Sequence, residues 1–255
     1  KIFSGIYILM IDWHCHLLPG IDDGASSLDE TLAMAALLAE VGYTTVCCTP
    51  HRVRGMYDTD PELMRNAVAE ATEALKRERV ELELWSGMEY CLDEFFADDF
   101  GPDPITLGET KRVLVETPAH ADPQLLRENI FYLVRHGYTP LLAHPERHAF
   151  LAPPGSDSGS MFNRVKSWAQ SGSAESTQSI NDTLLAELQV MGCEFQGNLG
   201  SVGGYYGSLV KKQEKRFREA GLYSCYGSDG HDLGGLQSFL TQALNEVRLD
   251  HSGLL

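Results

Sequence analysis

The 255-residue chain contains no apolar run approaching the roughly 18–20 residues that span a bilayer, so membrane insertion is not expected. It is short of positive charge: 20 Lys and Arg stand against 36 Asp and Glu, a formal net charge of -16. No local basic stripe stands out, and a surface this acidic repels nucleic-acid backbones, so no nucleic-acid partner is expected. An anionic substrate would need a local reversal of that field, and bound metal ions are the obvious source. The six cysteines, Cys15, Cys47, Cys48, Cys91, Cys193 and Cys225, include no CxxC pair and no regular spacing. Several lie in apolar, strand-like runs, where a thiol acts as a small hydrophobe, and together they predict reduced cysteines in a cytoplasmic protein. The opening KIFSGIYIL is too short for a signal peptide and lacks a small-residue cleavage site. Met10 could be the natural start, which would make residues 1–9 an extension or a cloning remnant.

Hydrophobic residues at 43% and charged residues at 22% describe an ordinary globular chain, expected to form one domain over 10–255. Short β-rich runs alternate with helical patterns. Strands are expected at Ile6 to Asp12, Thr44 to Cys48, Leu82 to Ser86, Val113 to Glu116, Pro140 to Ala143, Cys193 to Gly197 and Tyr223 to Tyr226. Ser27-Leu-Asp-Glu30 has capping-box spacing and opens a helix with Leu28, Leu32, Ala35 and Ala39 on one face, ending before Gly42. Further helices fit Pro61 to Arg79, Pro123 to His136, Thr183 to Met191, Ser208 to Ala220 and Gln237 to Val247. Alternation of this kind means a parallel sheet, and seven strand candidates predict an α/β fold: a distorted, TIM-like, seven-stranded (β/α)7 barrel. Its active site would lie at the C-terminal ends of the strands. PPGSDSGS (153–160) and SGSAESTQS (171–179), with a short helix from Met161 to Trp168 between them, break the rhythm. This Gly/Ser-rich insertion near 152–180 is expected to be a surface loop, with a lid over the site as the alternative.

The residues at the strand ends carry the chemistry. The first strand delivers His14-Cys-His16 and then Asp22-Asp23; later strands deliver His51, Glu89, Glu116, His144 and Asp229-Gly-His231. Two side chains two residues apart on an extended strand point the same way, so the HxH pair shares a face. A lone strand-end histidine is usually a hydrogen-bonded structural residue. Imidazoles and carboxylates arriving from six strands at one face suit divalent ions such as manganese, iron or zinc.

These motifs resemble the polymerase-and-histidinol-phosphatase (PHP) superfamily, and within it the bacterial PHP-type protein tyrosine phosphatases of capsule and exopolysaccharide operons. The resemblance rests on MIDWHCHLLPGIDDG (10–24), TPHRVRGMYD (49–58), GMEY around Glu89, LLAHPERH (141–148), FQGNLGSVGGYYG (195–207) and YGSDGH (226–231). IDDG together with HPER and GNLGS distinguishes this branch. The resemblance implies three divalent ions, manganese first, with iron, zinc or cobalt as alternatives. His14, His16, Glu89 and Asp229 would hold one ion; Glu89, Glu116 and His144 a second; Asp23, His51 and His231 the third. Asp23 is preferred to Asp22 on the family spacing. Four carboxylates and three such ions leave about +2 at the site, enough to attract a phosphate dianion. Arg147 in HPER looks like the family's phosphate-clamping arginine and is the expected catalytic side chain. Arg52 and Arg54 are expected to draw in an acidic substrate, and Asn198 and Ser201 to orient it. The implied partner is the phosphotyrosine tail of a bacterial tyrosine kinase of polysaccharide export.

Two departures from the family pattern are visible. Leu236 sits where the branch usually has a second arginine, and the insertion after HPER is longer than expected. Cys48-Thr-Pro-His-Arg-Val-Arg54 also fits C-x5-R, the spacing of a cysteine nucleophile and its phosphate-binding arginine. That loop has no glycine, and Pro50 removes one of the N–H donors a phosphate cradle requires. The remaining alternatives are a histidinol-phosphate or other small-molecule phosphatase, an amidohydrolase, and a metal-binding regulatory protein with reduced turnover.

Overall fold

Parallel strands covered by helices supply the frame. The computed structural model describes residues 10–119, 121–152 and 183–250, with side chains to 247. Its strands are β1 (Ile11–Cys15), β2 (Thr45–Cys48), β3 (His51–Val53), β4 (Tyr57–Asp58), β5 (Glu83–Ser86), β6 (Glu89–Cys91), β7 (Arg112–Glu116), β8 (Thr139–Ala143), β9 (Glu194–Asn198) and β10 (Cys225–Gly227). Its helices are α1 (Leu28–Glu40), α2 (Pro61–Glu78), α3 (Phe96–Phe100), α4 (Pro123–Arg135), α5 (Leu184–Val190), α6 (Leu199–Gly203), α7 (Ser208–Glu219) and α8 (Leu233–Asp250).

One sheet runs β1-β2-β5 and the other β10-β9-β8-β7-β6-β3-β4. Every ladder is parallel except the β3–β4 hairpin. The sheets meet at a bridge between Cys15 and Gly230, flanked by hydrogen bonds from His16 N–H to Gly230 O (3.0 Å) and from Asp229 N–H to His14 O (2.7 Å). Among the described residues these ladders do not close into a ring, so the expected seven-stranded barrel becomes a mixed α/β fold rich in parallel strands. The reason lies in two interruptions. Pro50, which cannot donate to a ladder, separates β2 from β3, and Gly87-Met88 separates β5 from β6. The first halves pair in one sheet and the second halves in the other.

Helix starts follow their local chemistry. Ser27, Asp60 and Asp122 accept from the N–H groups of Glu30, Leu63 and Gln124, and Pro61 and Pro123 occupy the first turns of α2 and α4. The buried stripe of α1 is Thr31, Met34, Ala35 and Leu38. That is a rotation from the expected face, and it leaves Leu28 exposed. α8 begins four residues before the expected Gln237. Two glycines weaken that turn, yet the Asp232 carboxylate accepts from Gly235 N–H at 2.8 Å and caps it. Neither α3 nor α6 was expected from the sequence. β1 starts at Ile11, beyond most of the expected Ile6–Asp12, so His14 lies inside the strand. Residues 1–9 and nearly all of the 152–180 insertion, with its Met161–Trp168 helix and lid alternative, lie outside the described residues. The inner strands are buried on both faces, as covered parallel strands require: all four residues of β2 are buried, and Phe195, Phe217 and Tyr226 fill the adjoining core.

Candidate metal centre

Six strands bring all nine expected imidazoles and carboxylates to one cluster. β1 presents His14 and His16, whose Nε2 atoms are 3.1 Å apart. Their outer nitrogens are engaged: His14 Nδ1 lies 3.0 Å from Gln196 Oε1 and His16 Nδ1 2.7 Å from Asp22 Oδ2. Both partners accept, so each Nδ1 carries the hydrogen and each Nε2 turns a lone pair inward. His231 is fixed in the same way, with Nδ1 2.9 Å from Asp229 O. The glycines beside these histidines are needed for close approach. A Cβ on Gly24 would lie 2.2 Å from His16 O, and one on Gly227 would lie 2.5 Å from His14 Cβ. This accounts for the glycines of IDDG and YGSDGH.

Glu89 is central and fully buried. Its Oε2 faces His51 Nδ1 at 3.1 Å, His14 Nε2 at 3.2 Å and His16 Nε2 at 3.4 Å, while Oε1 faces His144 Nε2 at 3.2 Å. Oε2 nevertheless accepts no hydrogen bond of acceptable geometry. Burial alone would raise this carboxyl, but the imidazoles outweigh it and hold Glu89 well below the usual range. His51 also reaches Glu116 Oε1 at 3.2 Å through Nδ1 and Asp23 Oδ1 at 3.6 Å through Nε2. Burial opposes a charge on His51, yet Glu89 and Glu116 raise its pKa to about 10. The cluster therefore attracts positive charge strongly.

Asp229 divides its two oxygens between tasks. Oδ1 faces the cluster, 3.2 Å from His14 Nε2 and 3.4 Å from His16 Nε2. Oδ2 accepts from Arg147 NH1 at 2.6 Å, Asn198 Nδ2 at 2.8 Å and Tyr206 OH at 3.2 Å. Asp229 and His144 both adopt left-handed backbone, with φ of 52° and 36°. Such conformations cost on the order of 1–2 kcal/mol for residues with a Cβ and collect at functional sites.

Four sets of side chains place their ligand atoms within 4.8 Å of one another: His16, Asp23, His51 and His231; His14, His16 and Glu89; His14, His144 and Asp229; and His51, Glu89 and Glu116. These sets overlap: His14, His16, His51 and Glu89 each belong to two of them, and His144 lies against both Glu89 and the His14–Asp229 set. Asp23 lies within the cluster, whereas Asp22 supports it from outside, accepting from His16, Gly24 N–H and His51 N–H. Burial would raise Asp22, but these donors hold it at about 2. The donor set suits divalent cations: imidazoles and carboxylates converge, a bound cation would displace the protons that the carboxylates now favour on the imidazoles, and a buried anionic oxygen lacks a hydrogen-bond donor.

The expected substrate contacts are arranged differently. Arg54 makes a paired contact with Asp99 (Nε 3.1 Å, NH2 2.9 Å) and lies over Phe95, and Arg52 NH2 is 3.6 Å from the same carboxylate. Both are therefore tied to the Asp99 carboxylate of α3. Asn198 is fully buried; besides holding Asp229 it caps α6, its Oδ1 accepting from Gly200 and Ser201 N–H. Asn198 therefore positions Asp229 and caps the helix at once. Arg147 lies 4.4 Å over the Tyr206 ring and remains one-third exposed. It lines a cavity of about 210 Å³ with Tyr206, His231, Leu236 and Phe239. Leu236 is buried against Gly230, so the position expected for a second arginine is apolar. Cys48 is inaccessible in β2, burial pushes its thiol far above the usual value, and the following residues are extended strand. C-x5-R forms no phosphate cradle here.

Several supporting residues escaped sequence reasoning. Glu146 is buried and staples the HPER turn to β9 and β10, accepting from Asn198 N–H (3.0 Å) and Tyr223 OH (2.9 Å). Asp12 joins β1 to the end of β10, accepting from His14 N–H (3.2 Å) and Ser228 N–H (2.8 Å). An acidic residue inside an apolar strand was the available signal. The basic face of α7, absent from the charge reading, becomes apparent only once the helix is packed.

Residues 10–157 match the family model for capsular polysaccharide synthesis, CpsB/CapC, which is more than half of the chain. The chain belongs to that family. Among CpsB/CapC relatives, it is 28% identical over 225 residues to the tyrosine-protein phosphatase YwqE of Bacillus subtilis, covering 88% of this chain and 78% of YwqE. It is 27% identical over 245 residues to the tyrosine-protein phosphatase CpsB of Streptococcus pneumoniae, covering 93% and 89% of the two. The crystal structures of YwqE and CpsB, described as unique metal-dependent tyrosine phosphatases, match with a TM-score of 0.75 at 28% identity. That match covers 96% of this chain and 88% of the solved one. The motif resemblance and the family membership agree on the capsular branch.

Proposed function

We propose that this CpsB/CapC chain is a metal-dependent protein-tyrosine phosphatase acting on the phosphorylated tail of a tyrosine kinase of capsule or exopolysaccharide synthesis. The observation that carries the proposal is Glu89 Oε2, buried among three imidazole nitrogens at 3.1–3.4 Å without a hydrogen bond. That environment fits a cation better than a proton, and the named activities of YwqE and CpsB supply the reaction class. Three divalent ions, with manganese preferred over iron, zinc or cobalt, would be held by His14, His16, Asp23, His51, Glu89, Glu116, His144, Asp229 and His231. When bound, the ions supply Lewis acidity and the charge that draws a phosphate dianion to an acidic protein.

The chain's own groups do the rest. Arg147 binds phosphate oxygens with the donors of its planar fork that Asp229 does not use, and Tyr206 beneath it keeps the guanidinium flat over the cavity. Tyr206, Leu236 and Phe239 give that cavity an apolar side suited to a phenyl ring. A phenolate leaving group, with a solution pKa near ~10, departs without a strong general acid. Seven consecutive parallel units, with β1 beside β10, support a distorted (β/α)7 barrel as the parent architecture. No helix among the described residues is long and apolar enough to cross a membrane, and a cytoplasmic location is part of the proposal.

The test compares kcat/KM for a phosphotyrosine peptide and for histidinol phosphate on metal-loaded protein. A preference for the peptide is expected; a large preference for histidinol phosphate would overturn the substrate assignment. No turnover of either would favour a regulatory metal protein.

A further inference from the structure

A second cavity, of about 220 Å³, adjoins the first and shares Arg147 with it. Its other wall is α7. That 12-residue helix carries Lys211, Lys212, Lys215, Arg216 and Arg218, five of the 20 Lys and Arg in a chain of net charge -16. Three of them are paired: Lys211 with Glu246 at 3.0 Å, Lys215 with Glu219 at 3.7 Å and Arg218 with Glu214 at 2.9 Å. The remaining two, Lys212 and Arg216, are one helical turn apart, and both line the cavity. Among the described residues neither has an ion-pair partner. Leu209, Val210 and Ala149 give the cavity apolar surface between these charges and Arg147. The sole carboxylate in the lining, Glu146, has both oxygens engaged by Asn198 N–H and Tyr223 OH, and burial raises its pKa. The cavity is therefore cationic on a molecule whose surface is otherwise dominated by carboxylates.

We infer that this cavity binds the acidic residues flanking the phosphotyrosine, with Lys212 and Arg216 pairing their carboxylates while Arg147 holds the phosphate. The inference rests on the phosphatase reading and names the substrate class for it: an acidic phosphopeptide. Charge complementarity selects the occupant, because two unpaired cations beside an apolar surface attract carboxylate-bearing extended chain and reject a basic one. The shared Arg147 sets the reach. Because one guanidinium borders both cavities, the acidic positions lie close to the phosphotyrosine along the extended peptide. Two part-exposed ion pairs together support about a tenfold preference, weakening as salt rises.

The test uses metal-loaded full-length protein and two phosphotyrosine peptides of equal length, one with Asp and Glu flanking residues and one with Asn and Gln. Wild type is expected to favour the acidic peptide about tenfold in kcat/KM, through KM, and the doubly substituted Lys212→Ala/Arg216→Ala protein less than twofold. Hydrolysis of para-nitrophenyl phosphate, which carries no flanking residues to meet Lys212 and Arg216, should agree within twofold between the two proteins. A preference that survives the substitutions, or is absent from wild type, overturns the inference. Fluorescence anisotropy with labelled peptides reads docking independently of turnover. If para-nitrophenyl phosphate is not hydrolysed the phosphatase reading fails, while equal Kd values for the two peptides still refute the docking site. Sedimentation with vesicles containing anionic lipid reads the competing occupant. Vesicle capture that the double substitution abolishes, with peptide preference unchanged, would assign the face to a membrane and refute the peptide assignment.

Discussion

Asn198 links helix geometry to cation binding, and replacing it separates the two roles. Its Oδ1 caps α6 by accepting from Gly200 N–H at 2.7 Å, and its Nδ2 donates to Asp229 Oδ2 at 2.8 Å. Asn198→Ala removes a cap, typically about 1 kcal/mol, and a hydrogen bond to a carboxylate, about 1.5–3 kcal/mol. Arg147 and Tyr206 continue to hold the same oxygen, so the expected loss of unfolding free energy is about 2–4 kcal/mol. Asn198→Asp keeps the cap acceptor but sets an oxygen against Asp229 Oδ2 in a buried site. It should therefore be more harmful than alanine to cation binding, although it is better for the helix. Loss of a group that orients a ligand typically lowers metal affinity about 10- to 100-fold. Urea denaturation of the metal-free protein and calorimetric titration with manganese measure the two effects separately. Wild-type manganese affinity in Asn198→Asp, with destabilisation confined to Asn198→Ala, would reduce Asn198 to a helix cap and refute the reasoning.

Three further outcomes follow from other parts of the structure. Cys48→Ser should retain phosphatase activity within a few fold, because the thiol is buried and protonated; abolished turnover in a folded variant would restore the cysteine mechanism. Arg147→Lys keeps the charge but loses the fork, and should lower kcat/KM for an aryl phosphate about 10- to 100-fold, the worth of about 1.5–3 kcal/mol of charge-assisted hydrogen bonding; a change under twofold would remove Arg147 from the phosphate site. Burial raises Glu214 to about 7 despite the neighbouring Arg218, so the folded protein holds that proton more tightly than the unfolded chain. This stabilisation is complete below the unfolded value near 4.5 and is lost as pH rises through about 7, by about 3 kcal/mol at most. Glu214→Gln should therefore flatten the fall in urea-derived stability between pH 5 and pH 8, and an unchanged slope would contradict the assignment.

Local signals carried the elements whose causes are local. Asp60 and Pro61 announce α2, Asp122 and Pro123 announce α4, and His14-Cys-His16 declares its chemistry through spacing alone. Features decided by distant partners were not legible. Pro50 and Gly87 lie just past the expected strands Thr44–Cys48 and Leu82–Ser86, and only the pairing of β3 with β6 reveals that the chain goes on into the other sheet. Arg52 and Arg54 look available to substrate until α3, a five-residue helix without a capping hydrogen bond, brings Asp99 to them. That Asn198 also holds Asp229 is not legible because the two are remote in sequence. That nine imidazoles and carboxylates cluster was readable from strand ends, but how closely their groups overlap was not. His16 and His51 each face more than one group of ligand atoms, which is a property of packing. The overall acidity masks the basic residues of α7, and only the ion pairs of Lys211, Lys215 and Arg218 with Glu246, Glu219 and Glu214 single out Lys212 and Arg216.

Removal and return of metal tests the central claim most directly. The protein is stripped with a chelator, manganese is added back in known ratio to protein, and bound metal and hydrolysis of a phosphotyrosine peptide are measured on the same samples. Activity should vanish on stripping and return in step with bound ions, reaching its plateau at no more than about three per chain. Undiminished hydrolysis by protein shown to be metal-free would contradict the account.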